Sequence, residues 1–173
     1  MRDLTPSCPD RDFGDGMAVM SRQTVRPDWI DYNGHMNVAF YTLAFDKAFD
    51  EFLEHWIGTG LSFVERSRFG PMALQSQVCF LGELLEGEAF HVRFWLIDHD
   101  DKRMHVFCQM IAEKDGSIAA TYESLGMNVD LEARRGAPYP DWAVERMDRL
   151  MAAQAGHGRP KQLGQAIGIR RKG

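Results

Sequence analysis

Five aromatic side chains, Tyr41, Phe45, Phe49, Phe52 and Trp56, recur at steps of three and four residues. That spacing is one face of an α-helix, and it predicts a helix from Val38 to about Ile57 whose aromatic side must be buried. Asp46, Lys47, Asp50, Glu51 and Glu54 decorate the opposite side, and Gly58 and Gly60 supply the stop. Beyond Pro71 the hydrophobic period changes from helical to two. Residues 72–81, 89–98, 103–113 and 118–130 alternate as strands, with Lys114-Asp115-Gly116-Ser117 as the strongest hairpin signal. Residues 17–25 read as one earlier strand, 61–71 as an irregular connection, and 141–154 as a short amphipathic helix capped by Asp141. One strand, one long helix and four hairpin-linked strands make an α+β plan: a five-stranded antiparallel sheet wrapped around a central helix.

The chemistry concentrates just before that helix, in Trp29-Ile30-Asp31-Tyr32-Asn33-Gly34-His35-Met36-Asn37. Asp31, Asn33 and His35 alternate at i, i+2 and i+4, a spacing that puts them on one face in extended chain. Gly34 suits a tight turn or a close backbone approach. Asn37 is a good N-cap, and the backbone N–H of Val38 at the helix start is a donor for developing negative charge. Asp and Asn before a helix often do no more than cap it or close an Asx turn. A calcium loop fits poorly, because the closing Glu and further oxygen ligands are missing.

Asp-x-Asn-Gly-His-Met-Asn-x-x-x-Tyr, from Asp31 to Tyr41, resembles the signature of hotdog-fold thioesterases. It looks like the motif of acyl-ACP thioesterases and is similar, at Asp31, to the catalytic Asp of 4-hydroxybenzoyl-CoA thioesterases. The wider chain, including Lys102-Arg103-Met104-His105 and residues 130–140, most resembles betainyl-CoA thioesterases of carnitine breakdown; the resemblance spans about residues 20–142. It implies the hotdog fold, at least a homodimer or a homotetramer with sites at the subunit boundary, and hydrolysis of an acyl-CoA thioester. Coenzyme A is then part of the substrate, with no cofactor and no metal expected. In that reading Asp31 is general base or nucleophile, Asn33 and His35 position water or substrate, and the Val38 N–H stabilises the oxyanion. The 4-hydroxybenzoyl-CoA type lacks the Asn and His, which favours general-base or electrostatic work for Asp31. Asn37 and Tyr41 are carried over as substrate-binding positions. Arg134 and Arg135 are the choice for CoA phosphates, with Arg66, Arg68 and Arg103 behind them. A non-catalytic acyl-thioester sensor and a hotdog enoyl-CoA hydratase are the alternatives.

Composition narrows the partners. The chain has 173 residues and a net charge of −5, yet Gly156–Gly173 holds five basic residues and no acid, leaving about −10 on the body. That is not a nucleic-acid binder's balance. No apolar run approaches a membrane span, and the first residues have no signal-like apolar core. Cys8, Cys79 and Cys108 show no metal-type spacing and suit a reducing cytoplasm, the last two as small core hydrophobes. The expected organisation is a disordered segment over 1–16, a thioesterase domain over 17–142, and a C-terminal helix with a basic, disordered tail over 143–173.

Overall fold

A computed structural model describes residues 2–169. Helix α1 (Val38–Phe52) continues without a break into a π-helical turn over Leu53–Ile57, so the helical run ends where the aromatic stripe ends. Gly58, at φ +92°, closes it in the left-handed conformation that favours glycine. Phe45 stacks on Tyr122 at 5.3 Å and Phe52 on Phe94 at 4.7 Å, which seats the stripe against the sheet. Tyr41, Phe45 and Phe52 are buried; Phe49 and Trp56 border the same core. Each fully buried ring contributes on the order of 1.5–3 kcal/mol, so this face outweighs any local helix propensity.

Four long antiparallel strands follow: β3 (Phe69–Phe80), β4 (Ala89–His99), β5 (Arg103–Ala112) and β6 (Ile118–Asp130). Among the described residues the sheet has seven strands rather than five, in the order β1 (Ala18–Val19), β4, β5, β6, β3, with β2 (Gln23–Thr24) on β4 and β7 (Arg135–Gly136) on β6. Two local events raise the number. The expected first strand is split into β1 (Ala18–Val19) and β2 (Gln23–Thr24). Val19 lies opposite Arg93 and Gln23 opposite Phe90, so the edge strand holds one residue more than its partner. There the Ser21 N–H turns away to the Glu51 carboxylate, at 2.9 and 3.0 Å. At the other end, residues 131–134 turn the chain back so that β7 (Arg135–Gly136) pairs with Val129 and Asp130.

The expected irregular connection contains a helix, α2 (Leu61–Ser67). Ser62 gives both its N–H and its hydroxyl to the Glu54 carboxylate (3.1 and 2.5 Å), and buried Phe63 meets Trp142 edge-on at 5.9 Å. Helix α3 (Asp141–Gln154) forms as expected, but Pro140 occupies the cap position and Asp141 is the first helical residue. Residues 2–16 contain no helix or strand, yet they are tied to the body. Arg2 pairs with Asp130 at 2.7 Å, Ser7 N–H donates to Gly58 O at 2.8 Å, and Trp142 Nε1 donates to Leu4 O at 2.8 Å. Arg170, Arg171 and Lys172 of the basic tail lie outside the described residues.

Candidate active site

Ile30 and Met36 form a single antiparallel bridge, and the five residues between them close into a loop. Asp31 N–H donates to His35 O and Gly34 N–H to Asp31 O, each at 3.0 Å. The segment is therefore a turn, not the extended run that alternation suggested. Gly34, at φ +81°, takes the left-handed position that closes it.

The Asp31 carboxylate is held from two sides. Its Oδ1 accepts the backbone N–H of Asn33 at 2.8 Å, an Asx turn. Its Oδ2 faces the Asn37 side-chain amide at 3.5 Å, a long contact at the limit of hydrogen bonding. Asn37 in turn caps α1: its Oδ1 accepts Ala39 N–H at 3.0 Å and its carbonyl accepts Phe40 N–H at 2.9 Å. The Val38 N–H between them has no partner among the described residues, and Val38 is exposed. A carboxylate thus stands one side chain away from an open helix start, where the backbone dipoles favour negative charge.

The connection between β3 and β4 forms the second wall. Met36 N–H donates to Leu84 O at 2.8 Å. The Tyr41 hydroxyl donates to Gly82 O at 3.2 Å and accepts Leu84 N–H at 3.1 Å. Burial raises the Tyr41 pKa against that hydrogen bond, so the hydroxyl stays a neutral strut. Trp29 is buried beneath the loop and stacks on Phe40 at 5.5 Å. His35 sends Nδ1 toward Glu83 Oε2, 3.9 Å away, rather than toward Asp31. Glu83 was not legible as a site residue, because a lone acid in a turn carries no signal of what it will face.

Asp31, Asn33, His35, Asn37, Val38 and Tyr41 are therefore gathered at one end of the molecule. Asn33 contributes its main chain there, while its side chain is exposed. Arg134 and Arg135 lie elsewhere. They follow Asp130, which pairs with Phe69 at the start of β3, whereas the loop adjoins Gly82, beyond the end of β3. Among the described residues no group of three or more His, Cys, Asp or Glu side chains is placed to hold a metal ion.

Comparison with known proteins places this loop in context. The family model of the thioesterase-like superfamily matches residues 25–147. This chain belongs to that superfamily. The matched stretch takes in the loop, α1 and every long strand, so a member's fold surrounds the site. A betainyl-CoA thioesterase of Pseudomonas aeruginosa is 33% identical over 145 residues, 84% of this chain and 91% of that protein. An L-carnitine dehydrogenase/betainyl-CoA thioesterase of Ruegeria pomeroyi is 32% identical across 92% of this chain, which spans only 32% of that longer relative. A Staphylococcus aureus protein solved in complex with CoA superposes with a TM-score of 0.81 at 27% identity, over 93% of this chain and all of that one. The chain is a thioester hydrolase, and no described helix is long and apolar enough to cross a membrane.

Proposed function

We propose that this thioesterase hydrolyses an acyl-CoA of small, cationic acyl group, betainyl-CoA being the leading candidate, with Asp31 as general base. The observation that carries the reading is the Asn37 side chain, whose amide faces the Asp31 carboxylate and whose oxygen caps α1 beside a Val38 N–H that has no partner among the described residues. A water held by Asp31 attacks the thioester carbonyl, and the carbonyl oxygen takes up negative charge at the Val38 N–H. A donor so placed is worth on the order of 3 kcal/mol of transition-state stabilisation. Asn37 orients the carboxylate, and His35, beside exposed Glu83, delivers a proton to the departing thiolate. Nucleophilic attack by Asp31 itself would proceed through a mixed anhydride, and single-turnover incorporation of ¹⁸O into Asp31 distinguishes the two routes.

The working unit is a dimer in this reading. Among the described residues strand β3 pairs with β6 alone, so its other side is a long open edge, and Met72 and Leu74 of the strand are exposed. Antiparallel pairing of two β3 strands about a two-fold axis sets the Phe69 end of one beside the Phe80 end of the other. That arrangement brings the partner subunit's Arg134 and Arg135 toward the Asp31 loop, where they meet the CoA phosphates. It also brings up a cleft of about 550 Å³ lined by Leu53, Leu61, Val64 and Pro71. Asp50 lies on its rim; burial and the neighbouring Asp46 raise its pKa, so an acyl cation would relieve the carboxylate pair. The three free thiols suit a reducing cytoplasm as the working compartment.

Free-thiol release from betainyl-, short-chain, long-chain and aromatic acyl-CoA thioesters tests the proposal. Turnover that favours betainyl-CoA and vanishes in Asp31→Asn is the expected result. Acyl-CoA binding without thiol release from any of them overturns it in favour of a sensor. Loss of an enoyl chromophore without thiol release identifies a hydratase instead.

A further inference from the structure

The turn between β4 and β5 is tied to the segment that leads into α3. Tyr139 N–H donates to Asp101 O at 2.7 Å, and the buried Asn128 amide holds the carbonyls of Ala137 and Pro138 at 3.1 and 3.0 Å. His99, the last residue of β4, sets Nε2 3.0 Å from Asp148 on α3. These bonds frame a cleft of about 450 Å³ between the turn, residues 138–141 and the first turns of α3. It lies away from the Asp31 loop: Asn128 pairs with Pro71, near the start of β3, whereas the loop adjoins Gly82, beyond the end of that strand. What the cleft binds is therefore independent of the thioesterase site.

Two polar side chains in its wall are almost wholly buried and incompletely bonded. Tyr139 is 7% exposed, and its hydroxyl has no hydrogen-bond partner among the described residues. That oxygen is not sealed inside the protein, so it opens on the cleft. Burial, with Asp100 adding to it, pushes the phenol well up, which keeps it a neutral hydroxyl with free lone pairs. The His99 side chain is 8% exposed, and its Nδ1 is enclosed without a partner. Polar groups held this deep and left unmatched cost free energy unless something completes them.

The rest of the lining says what would. Asp100, Asp101, Asp141 and Glu145 surround the cleft, and no Lys or Arg lines it. Asp100 is already answered by Arg103. Asp101, Asp141 and Glu145 have no ion-pair partner among the described residues; Arg149, one turn on from Glu145, is taken by Asp10. Unanswered carboxylates around a concave surface select a cation. They are too dispersed for a metal: among the described residues no three acids or histidines are placed to hold one. Pro138 and Val144 add apolar walls, which suit a hydrocarbon body. The cation carries N–H groups, because a free hydroxyl oxygen and carboxylates are acceptors, and a quaternary ammonium offers them no hydrogen.

We propose that this cleft binds a free primary alkylamine in its ammonium form. The nitrogen sits on the Tyr139 hydroxyl among the carboxylates of Asp101, Asp141 and Glu145, and the stem lies along Pro138 and Val144.

Calorimetric titration of the full chain with n-butylammonium chloride tests the site. At about 150 mM salt general attraction to an acidic surface is screened, and saturable binding should survive. Tetramethylammonium and Ca²⁺ should bind more weakly. Tyr139→Phe removes the hydroxyl alone and should raise the dissociation constant by about tenfold. The Asp101→Asn, Glu145→Gln double variant changes two exposed side chains; it should abolish the heat while circular dichroism and thiol release from acyl-CoA stay unchanged. Equal affinity for tetramethylammonium overturns the primary amine, and tighter binding of Ca²⁺ overturns the organic cation. No saturable heat, or undiminished affinity in both variants, overturns the site.

Discussion

Asn37 does two jobs with one side chain: its Oδ1 caps α1 at the Ala39 N–H, and its Nδ2 faces the Asp31 carboxylate at 3.5 Å. The helix start and the candidate base are thereby registered against each other. Substitution separates the two jobs. Asn37→Ser keeps a capping oxygen and loses the amide, so thioester turnover should fall about tenfold or more while the melting temperature barely moves. Asn37→Ala should lose a further ~1 kcal/mol of stability. Equal activity in Asn37→Ser and wild type would remove Asn37 from the site.

Tyr41 is predicted to act on the loop rather than on substrate. Tyr41→Phe keeps the ring against Phe80 but strands the Leu84 N–H and the Gly82 carbonyl. Denaturant titration should show a loss of about 1–3 kcal/mol.

Acid should loosen the anchored N-terminus before it unfolds the core. Asp130 is held down to about 2, first by the Arg2 guanidinium and then by the Ala133 N–H; Asp100 is likewise held to about 2 by Arg103 and the Lys102 N–H. An unfolded Asp titrates near ~4, so these contacts favour the native state fully above that pH and are lost as the pH falls toward about 2. Protection factors of the residue 2–8 amides, taken against the intrinsic rate at each pH, should therefore fall across that window. Arg2→Ala should show the lowered protection already at neutral pH.

Thiol reactivity should sort the three cysteines by depth. Cys108 is fully enclosed and burial pushes its thiol well up, whereas Cys8 and Cys79 are half-buried. A disulfide reagent should modify Cys8 and Cys79 in the native protein and reach Cys108 only after denaturant is added.

How the pieces were legible follows from their range. The α1 stripe, the Asn37 cap and the hairpin at residues 114–117 are written in neighbours along the chain, and each is found where its pattern lies. The split of the first strand is not, because the group that takes the Ser21 N–H is the carboxylate of Glu51, thirty residues on. Helix α2 likewise depends on Glu54 and Trp142, and its seven residues are too few to show a period of their own. In the loop, residue types announced the chemistry but not its arrangement. Alternation suggested an extended face, and the Ile30–Met36 bridge folded it into a turn.

From the amino-acid order alone came the helix-and-sheet plan and the cluster of proton-handling residues before α1, because both depend on periodicity and on contacts within a few residues. Tertiary structure alone decided that His35 faces Glu83, that Arg134 and Arg135 end away from Asp31, and that the segment after α3 reaches the outer face of the sheet at Glu123 and Gln77. Those outcomes depend on which distant backbone or carboxylate is nearest once the sheet has closed around its helix, and no local pattern encodes that distance.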